Sequence, residues 1–306
     1  MSNLKGRDLL GIADLSSDEL NQLLTLAKSL KVGDPGPDFS QKSLGLLFKK
    51  ASTRTRVSFS VAMHQLRGHV IDLYPNVTQV SRGEPVEDTA RVLDRYVDVL
   101  AIRTFDQSEL ETFAKYCQIP IINALTDLEH PCQTIADLQT VAETFGKVAG
   151  LTMTYVGDGN NVAHSLMLGC ALVGMNVRVA APAGFLPDPT IVAQAEAIAK
   201  QVNNSEVIVT NDPKAAVEGA QAIYTDVWAS MGQESEADDR IPVFKSYQVN
   251  QELMALADKE AIVLHCLPAH RGEEITAEVI EGAQSRVWDQ AENRLHAQKA
   301  LLVSVL

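Results

Sequence analysis

Cysteine is scarce in this chain: four in 306 residues, at Cys117, Cys132, Cys170 and Cys266, and none of them forms a CxxC pair. That spacing argues against a disulfide scaffold and against structural zinc, and it suits a reducing compartment, the cytoplasm. Basic residues are also short, since 26 Lys and Arg face 39 Asp and Glu for a net charge of −13. A chain this acidic lacks the broad basic patches that hold phosphate backbones, so no nucleic-acid partner is expected and any anion site has to be local. No apolar run approaches the ~20 residues of a bilayer span, so no membrane partner is expected either. The start, "MSNLKGRDLLGIADLSSDEL", has no basic stretch followed by an apolar one. It shows no secretion or organelle address, and "LSSDEL" reads as a helix start capped by Ser16 or Ser17. Internal repeats and low-complexity tracts are absent too.

What is present is enough apolar material, 46% of residues, to fill two cores of about 150 residues each, with a cleft expected between them. In the first half "SLGLLF" (43–48), "HVIDLY" (69–74), "VDVLAI" (97–102) and "IPIINAL" (119–125) read as buried parallel strands. Phe59, Ala62, Met63 and Leu66 fall at i, i+3, i+4 and i+7, one apolar helical face closed by Gly68. The second half repeats the alternation with "LTMTYVG" (151–157), "NVRVAAP" (176–182), "SEVIVT" (205–210), "QAIYTD" (221–226), "AIVLHC" (261–266) and "SRVWD" (285–289). The pattern predicts an α/β chain of two doubly wound parallel-sheet domains joined near Phe145–Gly150, with ligands beyond the carboxyl ends of the strands. One polar break, "SMGQESEADDRIPVFKSYQ" (230–248), is long enough to predict a lid or mobile binding loop.

Within that frame, "ASTRTRVSFS" (51–60) places Ser52, Thr53, Arg54, Thr55 and Arg56 after a strand and at the start of a helix. Backbone N–H groups, hydroxyls and a guanidinium fork at a helix N-terminus suit a phosphate. The ordinary alternative is a Ser cap with two solvated arginines. A Walker A loop is excluded because its glycine and lysine spacing is missing. Arg103 ends a buried strand, and "TDLEHPCQTIADL" puts His130 and Gln133 after another; each residue alone is more often structural, but together they suit a developing oxyanion. "YVGDGNNVAHS" is a weak dinucleotide fingerprint because Val162 stands where a third glycine belongs, and Asn160 and Asn161 either offer amides to a polar substrate or cap the helix. "TDVWASMG" sets Asp226 at a strand end and Ser230 at the root of the polar break, and Cys266 closes a strand, where a buried structural cysteine is the ordinary reading.

These motifs in this order resemble the aspartate/ornithine carbamoyltransferase family from near residue 4 to the end, "EDTARVL" (87–93) and "AENR" (291–294) included. "STRTR" is similar to the family's carbamoyl phosphate signature and "HPCQ" to its second element, while "DVWASMG" and "HCLP" look like the ornithine-type motifs of the second domain.

The resemblance implies transfer of the carbamoyl group of carbamoyl phosphate to the δ-amine of L-ornithine, giving L-citrulline and phosphate in arginine biosynthesis, with no metal or organic cofactor. It implies a carbamoyl phosphate domain over 1–146, completed by a C-terminal helix at 290–306, and an ornithine domain over 147–289. Ser52, Thr53, Arg54 and Thr55 would hold the phosphate, and Thr55, Arg103 and His130 would polarise the carbamoyl carbonyl. Gln133, Arg294 and the backbone of Cys266 and Leu267 would hold the carbamoyl end. Ornithine would meet Asn161 and the Met231 backbone at its α-carboxylate, Asp226 and Ser230 at its α-ammonium, and Cys266 and Asp226 near its δ-amine. Family members are trimers that share their sites, so Gln79 would be donated by a neighbouring subunit of a homotrimer; assembly beyond the trimer is left open. The aspartate type is disfavoured by "DVWASMG" and "HCLP", and putrescine and acetylornithine types by Asp226 and Ser230. An inactive anion-binding module is disfavoured by intact Arg54, Arg103 and His130.

Overall fold

The computed structural model describes residues 4–74, 83–202, 205–229 and 237–306. They fall into two compact units, Met1–Gln139 with Glu292–Leu306, and Thr140–Ala291.

The first unit carries α1 (Ser17–Lys31), β1 (Ser43–Phe48), α2 (Arg54–Gln65), β2 (His69–Leu73), α3 (Val86–Leu93), β3 (Val99–Arg103), α4 (Gln107–Tyr116), β4 (Ile121–Leu125) and the first part of α5 (Pro131–Phe145). Its sheet is parallel in the order β2-β1-β3-β4. Strands β3 and β4 are buried throughout and β1 almost so, as their largely apolar sequences suit when both faces are covered. Helix α1 begins with the expected capping box: the Ser16 hydroxyl accepts the Glu19 N–H at 3.2 Å and Glu19 accepts the Ser16 N–H at 2.8 Å. On α2 the four residues of the predicted stripe are each 0–1% exposed, the larger ones contributing about 1.5–3 kcal/mol apiece by burial.

The end of α2 corrects the expectation for Gly68. The left-handed residue is Arg67, at φ 66°, and the Arg67 and Gly68 N–H groups return to the His64 and Met63 carbonyls at 2.8 and 2.9 Å. Gly68 makes room instead: a Cβ there would lie 2.2 Å from the end of the Met63 side chain, which would have to shift.

The second unit carries β5 (Thr152–Val156), α6 (Asn161–Leu172), β6 (Asn176–Ala180), α7 (Pro189–Gln201), β7 (Val207–Thr210), α8 (Pro213–Val217), β8 (Ala222–Thr225), α9 (Ala237–Phe244), α10 (Gln251–Met254), β9 (Ile262–His265), α11 (Ala277–Ile280) and the start of α12 (Val287–Val305). Its sheet is parallel in the order β7-β6-β5-β8-β9. Helix α6 is buried from Val162 to Leu172 and is apolar all round, as expected of a helix covered on every side. No helix among the described residues is long and apolar enough to cross a membrane.

Two other expectations need correction here. Residues 285–289 are not a strand: Ser285 makes a single bridge to Val263, and helix begins at Val287. The break at 230–248 is not an open loop in its described part, because Ala237–Phe244 is helical and Lys245–Tyr247 is a 3-10 turn. Phe244 is 0% exposed, stacks with Trp228 at 5.8 Å between ring centroids and meets Phe185 edge-on at 4.8 Å. Counting the stretch as polar hid this anchor.

Candidate active site

Strand order decides where function is expected. In the first sheet the chain runs from β1 outward to β2, then returns to the other side of β1 as β3; in the second it leaves β5 toward β6 and returns as β8. Loops at such a reversal diverge above and below the sheet and leave space beyond the carboxyl ends.

In the first unit the reversal brings together residues 55 apart in sequence, since Phe48 and Arg103 are register partners. The segment after β1 carries Ser52, Thr53, Arg54 and Thr55, and the Arg103 Nη1 points to the Ser52 hydroxyl at 3.5 Å. The cap of α2 is Thr53, in helical conformation and with no side-chain bond to the helix. The Ser-cap alternative therefore fails, and the first-turn N–H groups are not taken up by a capping side chain. Thr55 is 2% exposed and accepts from Arg294 Nη2 at 2.8 Å, while Arg294 Nη1 donates to Gln133 Oε1 at 2.5 Å. Gln133 in turn donates to Asp137 Oδ1 at 2.8 Å. A guanidinium from the last helix thus locks the phosphate-loop threonine to the start of α5. Arg56 is structural: it pairs with Asp72 and lies over the Phe48 and Tyr74 rings.

His130, at the mouth of β4, is buried, and burial together with the charges of Arg294, Arg103 and Arg54 holds its imidazole well below the ordinary 6.5. The ring is neutral near pH 7 and acts as a hydrogen-bonding group rather than a cation. Because the unfolded chain takes up that proton more readily, the contribution of His130 to stability is complete above about pH 6.5 and is lost as pH falls below it. Ring-nitrogen NMR at pH 6.5, where an ordinary imidazole is half charged, should find His130 uncharged. A half-protonated ring there would contradict this reading.

In the second unit the reversal sets the turn after β5 beside the end of β8. Asp226 is buried and holds three donors: it accepts from Asn160 Nδ2 at 3.0 Å, its neighbour Val227 N–H at 2.8 Å and the Cys266 thiol at 2.9 Å. Asn160 takes the capping alternative, because its Oδ1 caps α6 through the Val162 and Ala163 N–H groups, and its amide nitrogen is spent on Asp226. Asn161 is the first residue of α6. Gly159 owes its place to packing, since a Cβ would lie 2.3 Å from the Pro187 nitrogen.

Cys266 and Leu267 follow β9. Leu267 takes φ 59°, a strained conformation for leucine, before a cis bond to Pro268. The Leu267 N–H donates to His265 Nδ1 at 2.9 Å, so His265 carries its proton on Nε2, which faces Glu274 Oε1 at 3.0 Å. Glu274 also accepts the His270 N–H at 2.6 Å. This buried pair was missed in the sequence, where the only signal was a His and a Glu on either side of "CLPAHRGE". Asp226, His265 and Cys266 bring possible metal-ligand atoms within 4.8 Å of one another, as do His270, Glu273 and Glu274. In the first group both His265 nitrogens are already bonded, and in the second Glu274 Oε1 is. Gln79, Ser230 and Met231 lie outside the described residues.

The family description "Aspartate/ornithine carbamoyltransferase, carbamoyl-P binding domain" matches residues 7–143, and its "Asp/Orn binding domain" matches residues 149–305. Curated proteins named ornithine carbamoyltransferase are similar over the whole length. The one from Nostoc sp. is 68% identical over 306 residues, 100% of this chain and 99% of its own. The one from Thermosynechococcus vestitus is 66% identical over 100% of this chain and 98% of its own. Among solved structures, ornithine carbamoyltransferase from Gloeobacter violaceus is 58% identical, with a TM-score of 0.90 over 97% of this chain and 98% of that one. The Pyrococcus furiosus enzyme is 48% identical, with a TM-score of 0.95 over 100% and 98%. With both halves matched and relatives this similar end to end, the chain belongs to the aspartate/ornithine carbamoyltransferase family.

Proposed function

We propose that the chain catalyses carbamoyl transfer from carbamoyl phosphate to the δ-amine of L-ornithine, releasing L-citrulline and phosphate, as an enzyme of arginine biosynthesis. The observation that carries the reading is the Asp226–Cys266–Asn160 cluster at the second sheet's reversal. A carboxylate held at 2.8–3.0 Å by three donors is preset to receive an ammonium. Relatives 62–68% identical over nearly the whole chain bear the ornithine name.

In the first domain, taken as 1–146 with 290–306, Ser52, Thr53, Arg54 and Thr55 receive the phosphate, and an unblocked helix N-terminus supports that assignment. Thr55, Arg103 and neutral His130 donate to the carbamoyl oxygen, whose charge grows as the carbon becomes tetrahedral; Gln133 and Arg294 hold the carbamoyl end. In the second domain, 147–289, Asn161 and the Met231 backbone take the ornithine α-carboxylate, Asp226 and Ser230 the α-ammonium, and Cys266 and Leu267 lie toward the amine that attacks. That amine, with an ordinary pKa near 10.4, has to lose a proton first, so rate rises from neutral to alkaline pH.

The protein works as a homotrimer with Gln79 supplied by a neighbour. The exposed Val57 and Val61 of α2, 54% and 37% accessible, support an apolar contact there. It works in the cytoplasm, a location consistent with four free cysteines.

Citrulline formation separates this reading from an inactive anion-binding module. Within it, Arg54→Ala should weaken carbamoyl phosphate binding about tenfold or more, since charge-assisted bonds contribute roughly 1.5–3 kcal/mol each, while folding survives. Calorimetry finding unchanged affinity would remove the phosphate assignment.

A further inference from the structure

The first unit holds a pocket of about 390 Å³, none of whose lining residues belongs to the candidate site. One side is the turn "GDPGPD" (33–38) between α1 and β1, and Lys299 of α12 lines it as well. Lys299 is 5% exposed, and among the described residues its ammonium has no hydrogen bond or ion pair. An ammonium on so covered a side chain gains from a counter-charge brought to it. Burial lowers the Lys299 pKa, and the negative charge of Asp34 only partly restores it.

Asp34 lines the same pocket. Its carboxylate accepts the Gly36 N–H at 2.9 Å and the Ser29 hydroxyl at 3.1 Å. Those two bonds, the Gly36 amide first, hold it below the usual carboxylate range, so it stays ionised with acceptor positions to spare. The pocket's other charges cancel, because Arg67 pairs with Asp38 at 2.7 Å. A cation and an anion thus line one cavity with no hydrogen bond joining them. The turn is set before any ligand arrives: Pro35 and Pro37 fix their backbone, and Gly36, at φ 69°, sits where a Cβ would come within 2.8 Å of Leu66. A plain anion would meet Lys299 but face the Asp34 charge, and a plain amine would meet the reverse.

We propose that this pocket binds a free α-amino acid, its carboxylate on Lys299 and its ammonium on Asp34, with its side chain against Leu30, Pro35 and Pro37.

The test is equilibrium dialysis of the full-length protein, its active site filled with a phosphonate bisubstrate analogue, against each standard amino acid in radiolabelled form. At least one should bind saturably, one per chain. Lys299→Met and Asp34→Asn should each weaken that binding about tenfold or more, with citrulline formation unchanged. Acetate and butylamine, with one charge each, should compete about tenfold or more weakly. Three results would overturn the proposal: no saturable binding of any amino acid up to about 10 mM, binding untouched by Lys299→Met, or acetate competing as well as the amino acid. If Lys299→Met does not fold, Asp34→Asn, at an exposed position, decides the matter alone.

Discussion

Asp226→Asn should lower kcat/KM for ornithine by about two orders of magnitude or more, roughly 3 kcal/mol of transition-state stabilisation. The substitution keeps the shape and removes the charge that would meet the substrate α-ammonium. Its surroundings raise the effect, because Asp226 is buried and takes three donors, from Asn160, Val227 and Cys266. An amide there can accept at only one end, so the Asn160 amide or the Cys266 thiol would lose its partner as well. Putrescine, which has no α-carboxylate and carries its second ammonium elsewhere, should begin as a poor substrate and lose much less. Carbamoyl phosphate affinity serves as the control and should not move. Wild-type kcat/KM for ornithine in Asp226→Asn would remove the ammonium assignment and return "DVWASMG" to a strand end followed by an ordinary connection.

Arg240→Ala should destabilise the second unit by about 3–5 kcal/mol, the usual effect of removing one partner of a buried ion pair. Arg240 Nη1 reaches Asp158 Oδ2 at 2.9 Å and the Trp228 carbonyl at 2.8 Å, and its guanidinium lies over the Phe185 ring at 5.0 Å. Both side chains are nearly out of water, at 8% and 13% exposed. Truncation would take the guanidinium at 2.9 Å from the Asp158 carboxylate and the donor at 2.8 Å from the Trp228 carbonyl, two residues beyond Asp226. Trp228 is the natural reporter, being 4% exposed within the aromatic cluster, and Trp288→Phe removes the only other tryptophan. In that background the urea midpoint should fall by about 1 M or more. The double variant Asp158→Leu with Arg240→Met, which removes both charges and keeps the bulk, should recover most of the loss. A change within about 0.5 kcal/mol for Arg240→Ala alone would show that the pair does not hold α9 in place.

The sequence by itself determined the elements and the chemistry. Largely apolar runs of four to six residues mark parallel strands because both faces of such a sheet are covered; nine of the ten expected strands are present, but β2 and β7, each at a sheet edge, are not buried as expected. The tenth, at 285–289, failed because alternation over so short a stretch does not separate a strand from the first turn of a helix. The helix start at Ser16 and the apolar stripe of α2 were legible for the same local reason: caps and periodicity act within a few residues. Residue type and a place at a strand end made Ser52 to Thr55, Arg103, His130, Asp226 and Cys266 candidates, and only the order of their motifs, through the family resemblance, gave them roles. Tertiary structure decided what depends on strand order and long-range contact. The reversal between β1 and β3 sets Arg103 against Ser52, and the reversal between β5 and β8 sets Asn160 against Asp226. Arg294 reaches Thr55 across 239 residues of sequence. The Arg240 clamp, the His265–Glu274 pair and the Lys299 pocket were invisible beforehand, because a charged residue reads as solvated until the fold removes the water around it and makes its partner, or its lack of one, decisive.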